Sequence, residues 1–294
     1  MIDAHVHIFP RMTPWNPHNC HAAENETHGS EAPAYTDKDL ARDMQTYGVE
    51  GAVVLAGPAY GDWNAYTIEA MNAPDSRIIA AAAFFDPWVD KSEEWYARDI
   101  ASSPFKAVKL ECSSKMGLCS LHKWAKLDDE PVMRLCQRME QEGKILVLDL
   151  GKPGTSSYQT EQVAKLAETY PQMQIVVCHI GQPDRHLEND ALLMQAWERQ
   201  VSLGKKDNVW LDFSALPCFM LDEELPVKRA AEYVHRVAEI AGTSKLMWGS
   251  DVPWLSRKAD YGQMVELAYL YTTGFSENER QKLLCDNAKR LWLE

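Results

Sequence analysis

His5 and His7 stand one residue apart in an otherwise apolar stretch, MIDAHVHIFP. In an extended strand alternate side chains share a face, so the two imidazoles project together. Such a pair is poor core material. It is a good pair of metal ligands, because neutral imidazole nitrogen suits zinc, iron and related ions.

Other polar residues close apolar runs further along: Lys109 and Glu111 in FKAVKLE, Asp149 in KILVLDLG, His179 in QIVVCHIG, Asp212 in NVWLDFSAL and Asp251 in KLMWGSD. Groups of this kind at the ends of hydrophobic strands are costly to bury unless metal, hydrogen bonds or substrate satisfy them. A divalent ion would satisfy several at once. His5, His7 and Asp251 would bind it, and His179 would bind it directly or hydrogen-bond the attacking water. The ion would lower the pKa of bound water to about 7 and polarise a carbonyl, while Asp251 takes the proton of the water. Lys109 would face an anionic substrate group or the developing oxyanion. Each residue also has a plainer reading. His179 would be satisfied by backbone, Lys109 and Glu111 would pair inside the fold, and Asp251, with Pro253 close behind, would cap a helix. The order HxH, HxG, SD along the chain is far more specific than any one of the three.

The elements that would position these residues are eight short apolar runs: IDAHVHIF, VEGAVVLAG, RIIAAAAFF, FKAVKLE, KILVLDLG, QIVVCHIG, NVWLDFSAL and KLMWGSD. They alternate with amphipathic stretches. Val132, Leu135, Cys136 and Met139 recur at helical spacing, as do Val163, Leu166, Ala167 and Tyr170. Repeated βα units predict a parallel sheet, and eight of them predict a closed (β/α)₈ barrel with its chemistry at the carboxyl ends of the strands. A doubly wound open sheet is the alternative, but no GxGxxG follows the first strand. The closing SENERQKLLCDNAKRLW opens with a Ser276–Glu279 capping box and predicts an extra carboxyl-terminal helix packed outside the barrel. Residues 10–35 read as a long loop between the first strand and the first helix. It carries Trp15, His18, Cys20, His21 and His28, and would lid the site, add a ligand to it, or simply be solvated.

The chain has 294 residues, 46% hydrophobic and 25% charged, with a net charge of -13. That balance fits a globular protein and speaks against nucleic acid or anionic membrane as partner. No run approaches the ~18 uncharged apolar residues of a membrane span, and no basic-then-apolar leader is visible, so the expectation is cytoplasmic. Seven cysteines without a CxxC pair predict reduced thiols rather than a disulfide framework.

The sequence resembles the amidohydrolase superfamily, in the amidohydrolase-related branch that holds lactonases and aminocarboxymuconate-semialdehyde-type decarboxylases. DAHVHIF, GPAYGDWN, FKAVKLE, VVCHIGQPD, NVWLDFSAL, LMWGSDVPW and DNAKRLW carry the resemblance across nearly the whole chain. HIGQPD and YGDWN are most similar to pyrone-dicarboxylate and sugar-lactone lactonases. The resemblance implies one distorted (β/α)₈ TIM-barrel domain over residues 1–294, metal ligation through His5 and His7, and a catalytic Asp251. It makes His179 an assistant at the carbonyl or the water. Lys109 stands where such lactonases often carry an arginine, which implies contact with a substrate carboxylate; Tyr60, Asn64, Asp149 and Trp254 are further candidate substrate-binding residues.

One departure stands out: many metal-bearing members supply a fifth-strand histidine, where this chain has Asp149. Either Asp149 or Glu111 replaces it as an oxygen ligand, or the metal is weak or absent. The expected activity is hydrolysis of a lactone or related ester of a small carboxylated or polyhydroxylated molecule. The expected cofactor is one divalent ion, zinc before manganese or iron. The alternatives are a nonoxidative decarboxylase of an aromatic or muconate-like acid, amide hydrolysis, and a barrel kept only as a binding protein. A small-molecule substrate is the expected partner, and a homodimer is compatible with the sequence. Of the aromatics Trp15, Tyr60, Trp63, Trp88 and Trp254 near the predicted mouth, most would pack against the rim and some would stack on substrate.

Overall fold

The computed structural model describes residues 1–16 and 34–294. His18, Cys20, His21 and His28 of the predicted long loop lie outside the described residues.

All eight predicted strands form: β1 Ile2–Val6, β2 Gly51–Leu55, β3 Ile78–Phe84, β4 Ala107–Glu111, β5 Ile145–Asp149, β6 Ile175–Val177, β7 Val209–Phe213 and β8 Leu246–Trp248. They pair in parallel in chain order, β1 to β8, with a helix after each on the outside. The helix Glu130–Glu142 buries Val132, Leu135, Cys136 and Met139, the stripe that the sequence spacing predicts.

Closure between β8 and β1 uses side chains as well as backbone. The Asp251 amide donates to the His5 carbonyl at 2.7 Å and the His7 amide to the Val252 carbonyl at 2.8 Å. Below them the Ser250 amide donates to Oδ1 of Asp3 at 2.8 Å, so a carboxylate stands in for a main-chain acceptor. Gly249 sits where β1 passes so closely that a β-carbon would meet that of His5 at 2.5 Å. Glycine is needed there to let the seam close.

The barrel interior is apolar at its amino end, where Ile2, Ala4, Val53, Ala80, Ala107, Val176, Trp210 and Met247 pack together. The carboxyl-terminal segment joins this cluster. Ser276 caps it as the sequence predicts, the chain makes one wide turn at Lys282–Asp286, and Asn287–Leu293 follows as helix. Cys285, Ala288, Leu291 and Trp292 then pack onto the interior residues. The predicted extra helix therefore forms and packs outside the barrel wall, across the amino-terminal mouth, whose apolar floor would otherwise meet water. Asn287 fastens it there through the carbonyls of Thr243 and Leu246, at 2.7 and 2.8 Å.

The six described cysteines are free thiols. No helix among the described residues is long and apolar enough to cross a membrane.

Candidate functional site

With the amino-terminal mouth plugged, the polar strand ends gather at the other one. His5 leaves β1 pointing inward, with Nδ1 3.1 Å from Oδ2 of Asp212 and 3.3 Å from the Ser214 hydroxyl. His7, two residues on, sets Nδ1 against the carbonyl of Leu55 at the end of β2. A carbonyl only accepts, so His7 carries its proton on Nδ1. A carboxylate imposes the same tautomer on His5.

Both rings therefore turn an unprotonated Nε2 toward the end of β8, and both meet the same atom. Oδ1 of Asp251 lies 2.8 Å from Nε2 of His7 and 3.3 Å from Nε2 of His5. Three acceptors face one another, an arrangement that only a proton or a cation between them satisfies. Burial, and after it the charge of Lys109, pushes His5 down to about 4 and lowers His7 as well, so both imidazoles are neutral near pH 7. Burial alone would raise Asp251, but the His7 ring against it and the charge of His179 hold it below the usual carboxylate range. The three donor atoms lie within 4.8 Å of one another. Two neutral imidazoles, each fixed from behind, and a carboxylate fit a divalent cation.

His179 belongs to a second network. Its Nδ1 lies 2.7 Å from the Ser214 hydroxyl, which gives its own proton to Oδ1 of Asp212. The other nitrogen, Nε2, is 3.2 Å from Oδ2 of Asp149. Asp149 also accepts from Gln182 Nε2 at 2.7 Å and from the Gly151 amide at 3.0 Å. Burial opposes charge on His179, yet Asp149 outweighs it and lifts the ring to about 9. Asp149 is itself held below the usual range, because His179 more than offsets its burial.

The backbone bends sharply to build these contacts. His179, Ile180 and Gln182 take φ of 59°, 43° and 51°, and Asp251 takes 62°. Left-handed conformations in non-glycine residues cost about 1–3 kcal/mol each and persist where surrounding structure enforces them. Here they sit at the ends of β6 and β8, where the imidazole and the carboxylate are aimed.

Above the two networks opens a cavity of about 250 Å³. His7, Lys109, Glu111, Asp149, His179 and Asp251 form its polar floor, and Tyr60, Phe219 and Trp254 its aromatic side. Ser113, Ser114, Lys115, Lys152 and Thr155 line the rest. Lys109 is buried, and its Nζ lies 3.3 Å from Nε2 of His5. Burial works against its charge, but the Cys178 sulfur and the carboxylates of Asp149, Glu111 and Asp251 raise it above the ordinary lysine value. Burial first, then Asp149, pushes Glu111 up to about 7.

Of the residues singled out from sequence, His5, His7, Lys109, Glu111, Asp149, His179 and Asp251 come together, with Tyr60 and Trp254 on the cavity wall. Two expected ligands stand apart from the three-donor group. His179 has both ring nitrogens engaged by Ser214 and Asp149, and Glu111 accepts from the Ser113 hydroxyl at 2.5 Å. Asn64 does not reach the cavity, because its amide is spent on the amide and carbonyl of Phe84, at 2.8 and 2.9 Å. Trp15 gives its Nε1 proton to Asp86 at 2.9 Å and stacks on Trp95, while Trp88 is buried; neither they nor Trp63 line the cavity. Sequence reading assigned no role to Ser214 or Gln182. Ser214 was discoverable, since it follows Asp212 by two where β7 ends and extended chain places the two on one face. The Leu55 carbonyl is main chain and leaves no trace in residue types.

The family described as Amidohydrolase (Amidohydro_2) matches residues 2–293. No curated protein matches the sequence. Among solved structures, an amidohydrolase from Burkholderia multivorans with bound zinc is similar at a TM-score of 0.77 and 18% identity, covering 99% of this chain and 98% of that one. A probable 2-pyrone-4,6-dicarboxylic acid hydrolase from Acinetobacter baumannii with citric acid bound gives 0.74 and 16%, covering 100% and 99%. A 2,6-dihydroxybenzoate decarboxylase complexed with 2,6-dihydroxybenzoate gives 0.63 and 15%, covering 89% of each chain. At these identities the likeness speaks for a shared barrel, while the match over nearly the whole sequence establishes that this chain belongs to the amidohydrolase family.

Proposed function

We propose that the protein hydrolyses a lactone or related ester of a small carboxylated molecule by attack of water on the carbonyl. The observation that carries this reading is the convergence of His5 Nε2, His7 Nε2 and Asp251 Oδ1 at the floor of a cavity that also holds Lys109 and a charged His179. His5, His7 and Asp251 would hold a divalent ion, zinc foremost, which when bound supplies Lewis acidity at the carbonyl and acidifies water.

The remaining chemistry falls to the chain's own groups. Asp251, ionised and at the cavity floor, accepts the proton of the attacking water. His179, protonated near pH 7 with its two N–H groups given to Asp149 and Ser214, holds a fixed positive charge beside the oxygen on which charge develops. Lys109 takes a substrate carboxylate, and Lys115 and Lys152 on the wall favour the carboxylated over the polyhydroxylated substrate class. Lys152 is already paired with Asp184 at 2.6 Å, which leaves its charge partly balanced. Tyr60 and Trp254 offer apolar faces to a planar ring.

Nonoxidative decarboxylation of an aromatic or muconate-like acid is the rival reading. It draws on the same cations and on the likeness to the dihydroxybenzoate decarboxylase. Zinc-loaded protein assayed against a panel of carboxylated lactones and aromatic acids separates the two. Acid release from a lactone without carbon dioxide is expected; carbon dioxide from an aromatic acid, with every lactone intact, would overturn the proposal.

A further inference from the structure

The group formed by His5, His7 and Asp251 already has a cation pointed at it. Nζ of Lys109 lies 3.3 Å from Nε2 of His5. That nitrogen can only accept, because Nδ1 of the same ring carries the proton given to Asp212. The ammonium therefore donates to the lone pair that a metal would use. Lys109 is 2% exposed, so it is held at the floor rather than swinging in water. Its field reaches both imidazoles, and Asp251 in turn attracts it.

We infer that Lys109 is the chain's own counter-cation for this centre and competes with the divalent ion for it. The inference rests on the reading of His5, His7 and Asp251 as the ligands. Binding a dication through His5 Nε2 removes the acceptor of Lys109 and sets two positive charges side by side in a buried site, where screening is weak. The metal affinity of the free protein is then lower than its three donors alone would give. A substrate carboxylate that draws Lys109 toward itself relieves the competition, so anionic substrate and metal strengthen each other's binding, as linkage requires.

The test is the affinity of metal-stripped protein for zinc, read by competition with a chromogenic chelator, for wild type, Lys109→Met, Lys109→Gln and Lys109→Arg, with thermal melting to show that each is folded. Removing the charge should tighten zinc binding by about tenfold or more, in either the Met or the Gln variant, while Lys109→Arg stays near wild type. His5→Ala placed on the tightened variant should abolish the gain. Equal affinity across folded variants would overturn the competition and leave the ligand assignment standing. Absence of zinc binding in all of them would overturn both.

Discussion

His179 meets Asp149 through Nε2 and Oδ2 at 3.2 Å, with both side chains buried. The pair gives the fold a pH dependence of defined sign. His179 is raised from 6.5 to about 9, so its contribution to stability is complete below 6.5 and is lost as pH rises through about 9. Asp149 is lowered, so its contribution is present above the ordinary carboxylate value and lost only in strong acid. The melting temperature of metal-free protein should fall between pH 6.5 and 9, a loss of roughly 2–3 kcal/mol. Asp149→Asn should flatten that slope; a slope unchanged in the variant would place its origin elsewhere.

Asp212 does not line the cavity, yet it serves both networks. One oxygen accepts from His5 Nδ1, and the other from the His179 amide at 2.8 Å and the Ser214 hydroxyl. Carboxylates behind metal-binding histidines fix the tautomer and strengthen the donor. Asp212→Asn should therefore weaken zinc binding by about 10–100-fold. A chelator competition titration checks this, and an affinity equal to wild type would show that His5 does not depend on Asp212 for its orientation.

The helix Asn287–Leu293 plugs the amino-terminal mouth through Trp292, which is fully buried. Trp292→Ala should cost about 3–5 kcal/mol, measured by urea unfolding, because the cavity opens into the barrel interior. A loss below about 1 kcal/mol, the range of surface substitutions, would mean that the helix is a loosely held appendage.

The barrel was legible because each strand is a short apolar run, six of the eight with a polar residue at the carboxyl end, and periodicity alone separates such runs from the amphipathic helices between them. The convergence of His5, His7 and Asp251 was legible for the same reason, since all three are polar residues at strand ends. What escaped has a different physical origin. Asn64 looks like a binding residue in YGDWN, but its amide is consumed by the backbone of Phe84, a contact made across 20 residues of chain. His179 reads equally as ligand or acid until Asp149 and Ser214 are seen on its two nitrogens. The carboxyl-terminal helix showed its cap and its apolar face, while the surface awaiting that face is assembled only when the barrel closes.

The central claim is that Asp251 takes the proton of the attacking water. Comparing kcat/KM of wild type and Asp251→Asn on the lactone that is turned over, both with saturating zinc, tests it most directly. The account predicts a loss of about 10²–10⁴-fold, since asparagine keeps the shape but cannot accept the proton. Turnover within about threefold of wild type would contradict it.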